Sequence, residues 1–274
     1  NFDEVAHRRG PRSELALAEL HRVDAYLAEL YAVARAVERP YDVVILSDHG
    51  HVDSLPMERR QGRRLEQWLL ESGGPGPLAE DLVRGLCDGR ARPEPDTTPR
   101  APFTPVVMEC GNFAHIYLSG ERQPLEAREL LSRHPDVLAR VTQSPEIGLV
   151  AVRRGNSAVA LVKGGVYGPD EVDQAPLSPE FSRRALAEYL RVLPSMTTGG
   201  DVVLFGEAVQ RGGTVGFAWE FGSHGGLTRT EANSLVCWPS DAPVDLSGLG
   251  HCAQLHERLA EAYLDPAPPM RLVL

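Results

Sequence analysis

The sequence predicts an α/β fold with a central sheet layered between helices. Three observations carry that prediction. Segments with a 3.6-residue apolar period alternate along the chain with short β-branched runs. The run at 41–47 (YDVVILS) is apolar on both faces, as in a parallel strand covered from both sides. The composition is that of a globular chain: of 274 residues 42% are hydrophobic and 24% charged, enough to bury a sizeable core. The expected architecture is a three-layer sandwich with a mixed, mostly parallel sheet, built as a single domain over 1–274 with a Pro-rich loop at 88–105.

Each element has its local reason. Residues 13–38 read as a helix: Leu20, Val23, Leu27, Leu30, Ala34 and Val37 form one stripe, Ser13 suits the N-cap, and Pro40 forbids continuation. The strand at 41–47 follows. A helix is predicted over 59–72, broken at 73–77, with a shorter one at 78–87. Residues 88–105 hold five prolines and read as an exposed loop. Strands at 106–109 and 113–118 flank the turn Gly111-Asn112. Helices follow at 124–133 and 136–142. Gly155-Asn156 joins strands 147–153 and 158–162 as a hairpin. A helix at 179–193 has Pro179 near its first turn. Strands at 201–205, 215–219 and 234–238 and a helix at 250–263 complete the reading. No internal repeat is present.

Acidic residues outnumber basic ones by 38 to 28, a net charge of −10, which argues against a basic nucleic-acid grip. The four cysteines, Cys87, Cys110, Cys237 and Cys252, include no C-x-x-C pair, and they read as buried reduced thiols. No apolar run reaches the length of a membrane span, and no signal peptide is visible. The chain opens on Asn-Phe-Asp-Glu rather than Met. The expectation is that further sequence precedes it.

Three segments carry chemistry. Ser47-Asp48-His49-Gly50 closes the strand at 41–47, and the carboxyl end of a parallel strand is where open α/β sheets place ligands. Carboxylate plus imidazole is a zinc-type donor pair. Asp3 and His7 stand four apart, a spacing that puts both on one helical face. His224 lies in Gly222-Ser223-His224-Gly225-Gly226, where flanking glycines let a tight loop place the ring. Each segment alone is a weak signal; the three together in an α/β chain point to metal binding.

With D-x-x-x-H followed by Gly10-Pro11, then SDHG, then GSHGG in that order, the sequence resembles the alkaline phosphatase superfamily, and within it the type I phosphodiesterase/nucleotide pyrophosphatase branch. A bacterial subgroup is the nearest likeness, through Gly111-Asn112, Ile116-Tyr117 and FAWEFGSHGGL at 217–227. The resemblance implies an alkaline-phosphatase-like sandwich with two divalent metal ions, zinc by preference. Asp3, His7 and His224 would hold one ion, Asp48 and His49 the other. It also implies a further aspartate and a nucleophilic Thr or Ser on an earlier strand. Both would lie upstream of Asn1, so the chain is expected to be the carboxy-terminal part of a catalytic domain whose amino-terminal part is missing here and serves as its partner.

The function so implied is hydrolysis of a phosphodiester or nucleotide pyrophosphate bond in a small-molecule phosphate ester or nucleotide. Alternatives are a phosphomonoesterase, sulfatase or phosphonate hydrolase of the same superfamily, or a non-catalytic truncated homologue acting in binding or assembly. The resemblance leaves the compartment open between bacterial cytoplasm and membrane, with an upstream anchor compatible with the family. His51 is a candidate to face the phosphate or leaving group. Glu220, four residues before His224, is a candidate hydrogen-bond partner for a ligand imidazole. His21, His115, His134, His251 and His256 read as structural, and Trp219 and Trp238 as core residues.

Overall fold

A computed structural model describes residues 1–39, 41–71, 76–98, 104–120, 123–209 and 212–264. The helix-ending role read for Pro40, most of the break read at 73–77, and 99–103 of the Pro-rich segment lie outside the described residues. The chain divides into two compact units, one of Asn1–Leu20 with His49–Asn233, the other of His21–Asp48 with Ser234–Leu274.

Along the chain, helix α1 spans Phe2–Arg9 and α2 spans Glu14–Ala36. Strand β1 is Ile45–Leu46 and β2 is Val52–Pro56. Helices α3 (Met57–Gln61), α4 (Leu65–Leu70) and α5 (Glu80–Leu86) follow. The hairpin β3 (Val106–Cys110) and β4 (Phe113–Tyr117) leads to α6 (Ala127–Arg133) and α7 (Pro135–Gln143). Next come β5 (Ile147–Arg154), β6 (Ser157–Val162), β7 (Gly165–Tyr167) and α8 (Arg183–Val192). Strands β8 (Val202–Gly206), β9 (Ala208–Val209), β10 (Gly213–Gly216) and β11 (Gly222–Ser223) precede α9 (Arg229–Ala232), β12 (Val236–Cys237) and α10 (Cys252–Tyr263).

The larger unit is a sandwich around a six-stranded sheet of order β3-β4-β8-β5-β6-β7. Along β5 and β8, alternate side chains enter two separate cores. Val150, Val152, Val202 and Leu204 pack with helices α4 to α7 on one face. Leu149, Ala151, Val203 and Phe205 pack with α8 on the other. Every neighbouring pair in this sheet is antiparallel. A second sheet, β11-β2-β10-β9, is mixed: β2 and β10 run parallel, and their outer neighbours antiparallel. The expectation of a mostly parallel sheet is therefore corrected. An antiparallel strand covered on both faces is as apolar as a parallel one, so apolarity could not separate the two.

Several local readings also change. The run at 41–47 forms only the two-residue β1, antiparallel to β12, with Leu46 half exposed. In that smaller unit Tyr263 donates its hydroxyl to Asp42 at 2.6 Å, tying α10 to the segment before β1. The helix read at 59–72 is two helices, because Gly62 adopts a left-handed φ of 73° and closes α3. Ser182, rather than Pro179, starts α8, accepting from Ala185 N–H at 3.2 Å. Ser13 caps α2 as read, accepting from Ala16 N–H at 3.2 Å. The stripe on α2 is largely exposed, however; the buried residue of this helix is Ala16, outside the stripe. Trp219 is exposed rather than core. Of the cysteines only Cys87 is buried; all four are free thiols. Among the described residues no helix is long and apolar enough to cross a membrane.

Candidate metal centre

The site is assembled within the larger unit from three short segments. Helix α1 carries Asp3 and His7 one turn apart, as their spacing requires. The segment entering β2 carries His49 and His51, and the residue after β11 is His224. Strands β2 and β11 are paired, with Gly222 opposite Asp53 and Ser223 opposite Val52. That register fixes the distance between the two histidine-bearing segments. Helix α1 is held against β11 by Phe221 N–H donating to His7 O at 2.7 Å.

Two glycines make these approaches feasible. A Cβ on Gly222 would lie 2.4 Å from Ala6 O, so any side chain there would push α1 off the strand. A Cβ on Gly50 would lie 1.8 Å from Thr230 O. Gly50 is thus required for close packing against α9. Further support comes from Glu231, which is buried and accepts from Gly226 N–H at 3.2 Å and Thr228 N–H at 3.1 Å. Burial pushes its carboxyl above the usual range, and its hydrogen bonds with Thr228 oppose this. Ser223 Oγ accepts from Asn112 N–H at 3.0 Å, linking β11 to the Gly111-Asn112 turn.

The side chains converge on one atom. Asp3 Oδ1 lies 3.5 Å from His7 Nε2, 3.1 Å from His51 Nε2, 3.6 Å from His224 Nε2 and 4.0 Å from His49 Nε2. The donor atoms of Asp3, His7, His51 and His224 all fall within 4.8 Å of one another. For comparison, ligands about 2.1 Å from a tetrahedral zinc are about 3.4 Å apart. The His49 ring stacks on His224 with centroids 3.6 Å apart and planes 15° from parallel.

Proton positions sharpen the picture. His7 Nδ1 faces two acceptors, Glu220 Oε2 at 3.0 Å and Gly222 O at 3.0 Å. Nδ1 therefore carries a proton, and in the neutral tautomer the lone pair is on Nε2, which faces Asp3. His49 Nδ1 faces Gly50 O at 3.1 Å, with the same consequence for its Nε2. Burial first, then the nearby His7, pushes the His51 pKa below its ordinary value. Burial, then His49 and His7, does the same for His224. A His224 ring held neutral in this way is in the form that binds metals. A lone pair aimed at a carboxylate repels it unless a cation lies between, so the neutral tautomer of His7 beside Asp3 fits a divalent ion.

Asp3, His7 and His224 are thus brought together as the motifs imply, with His51 added to them and His49 stacked at the edge. Asp48 belongs to the smaller unit, where its backbone oxygen accepts from Ser234 Oγ at 3.3 Å. Glu220 does meet a ligand-type imidazole, but that ring is His7 rather than His224. The signal for His51 was only its place beside the SDHG motif.

Fold and site together define a class: an α/β sandwich carrying an aspartate–histidine constellation suited to a divalent cation. The family model for type I phosphodiesterase/nucleotide pyrophosphatase matches residues 1–156, more than half of the chain, and the chain belongs to that family. The match includes Asp3, His7, Asp48, His49 and His51 and ends before His224. Members are phosphoester hydrolases that generally use divalent metals and act on phosphate esters or nucleotides. No curated protein and no solved structure matches the chain.

Proposed function

We propose that this chain holds the metal-binding part of a hydrolase that cleaves phosphodiester or nucleotide pyrophosphate bonds. One observation carries the reading: the Nε2 atoms of His7, His51 and His224 surround Asp3 Oδ1 at 3.1 to 3.6 Å. Asp3, His7 and His224 hold one cation. The SDHG motif supports Asp48 and His49 as ligands of a second. Zinc suits mixed histidine and carboxylate donors. When bound, such an ion stabilises charge on the phosphoryl oxygens. That local positive charge lets a chain of net charge −10 accept an anionic ester.

The chain's own residues do the positioning. Glu220 and the Gly222 carbonyl fix the His7 tautomer and ring orientation. Stacking on His49 restrains His224.

The test is hydrolysis of bis(4-nitrophenyl) phosphate, 4-nitrophenyl phosphate and 4-nitrophenyl sulfate by the zinc-loaded protein and its His224→Ala variant. Faster turnover of the diester, lost in the variant, is expected. Preference for the monoester or the sulfate would overturn the diesterase assignment. Metal binding without turnover of any ester would favour a binding module.

A further inference from the structure

We propose that His51 is a positioning residue: it donates its Nε2–H to Asp3 and orients that carboxylate for the cation, without ligating the cation itself. The proposal rests on the cation-site reading above and divides the four-residue cluster into three ligands and one donor.

Proximity does not separate these roles, but the hydrogen bonds at the His7 and His51 rings do. His7 has acceptors at Nδ1, so in its neutral tautomer Nε2 is bare. His51 is the reverse. Its side chain is 7% exposed, and its Nδ1 is buried with no hydrogen-bond partner among the described residues. Its Nε2 makes a hydrogen bond of 3.1 Å with Asp3 Oδ1. An unpaired N–H in a buried position costs more than an unpaired lone pair. The proton of a neutral His51 therefore sits on Nε2, where an acceptor waits, and that nitrogen has no lone pair left for a metal. The ring is held edge-on between Phe2 and His7, with centroids 6.2 and 4.8 Å away.

Asp3 needs such a partner. Its side chain is 53% exposed in the first turn of α1, so little packing selects its rotamer. Oδ1 offers two lone-pair directions. One accepts from His51, leaving the other for the space shared with His7 and His224. Three protein ligands, Asp3, His7 and His224, then leave an open coordination position, as a catalytic zinc site requires. Ligating carboxylates are commonly hydrogen-bonded in this way.

The experiment is NMR of the protein labelled with ¹⁵N-histidine and loaded with ¹¹³Cd. Cadmium coupling is expected at Nε2 of His7 and of His224, with His51 Nε2 keeping its proton. Coupling at His51 Nε2 would overturn the proposal while upholding the cation site. Coupling at none of the three would overturn both. In parallel, chelator competition should show His51→Ala weakening zinc binding about 10- to 100-fold. His51→Gln keeps an N–H donor and should lose less than about tenfold. Equal losses in the two variants would contradict a donor role.

Discussion

The six-stranded sheet and the histidine cluster solve opposite problems within one unit. In the sheet, β5 and β8 are sealed on both faces by apolar side chains, and their backbone groups are paired with neighbouring strands. In the cluster, polar rings gather around one half-exposed carboxylate, held by short strands, two glycines and hydrogen bonds. The sheet gains stability from area removed from water. The cluster gains specificity from where each proton sits. The difference teaches that stability and ligand geometry should be separable by mutation.

The largest effect should come from the sheet. Leu204 is fully buried in β8, so Leu204→Ala should cost about 2–5 kcal/mol in urea unfolding. The folded fraction should keep the zinc affinity of the parent. A parallel loss of affinity would break the separation.

Gly222→Ala probes the seam between α1 and β11. With a Cβ 2.4 Å from Ala6 O, it should cost about 1–3 kcal/mol through overpacking. Unlike Leu204→Ala, it should also weaken zinc binding, because α1 carries Asp3 and His7. Calorimetric titration of the folded variant distinguishes the two.

Glu220→Gln acts on the cluster alone. Gly222 O still accepts from His7 Nδ1, so zinc affinity should fall about tenfold, toward the lower end for such partners. Unfolding should be unchanged. Loss of stability without loss of affinity would show Glu220 to be structural.

The smallest effect concerns pH. His115 in β4 accepts from Gly200 N–H at 2.9 Å through Nδ1. Burial, then the Arg153 guanidinium, holds its pKa below the ordinary 6.5. The unfolded chain therefore binds more protons as pH falls through 6.5. Stability contributed by neutral His115 is full above that pH and declines below it, by at most about 1.4 kcal/mol per pH unit. His115→Asn keeps an acceptor and should flatten the acid side of the curve in urea unfolding. Identical slopes would contradict this account of His115.

Much of the sheet and part of the cluster were legible in the sequence. Gly111-Asn112 and Gly155-Asn156 marked true hairpins because a tight turn leaves a local signature. Asp3 and His7 were readable as a pair because helical spacing alone brings them together. Strand direction was not readable, since β5 and β8 are covered on both faces whichever way their neighbours run. The run at 41–47 misled for a related reason: β-branched composition marks a strand without saying how exposed it is. His51 and the Glu220–His7 contact depend on the pairing of β2 with β11, and residues far apart in the chain carry no local trace of that register.

The most direct test of the cation site is zinc content per chain after loading and desalting, for the parent, His224→Ala and His49→Ala. The account predicts at least one retained zinc in the parent, lost in His224→Ala and still present in His49→Ala. A folded parent that retains no zinc, or a His224→Ala variant that retains as much as the parent, would contradict it.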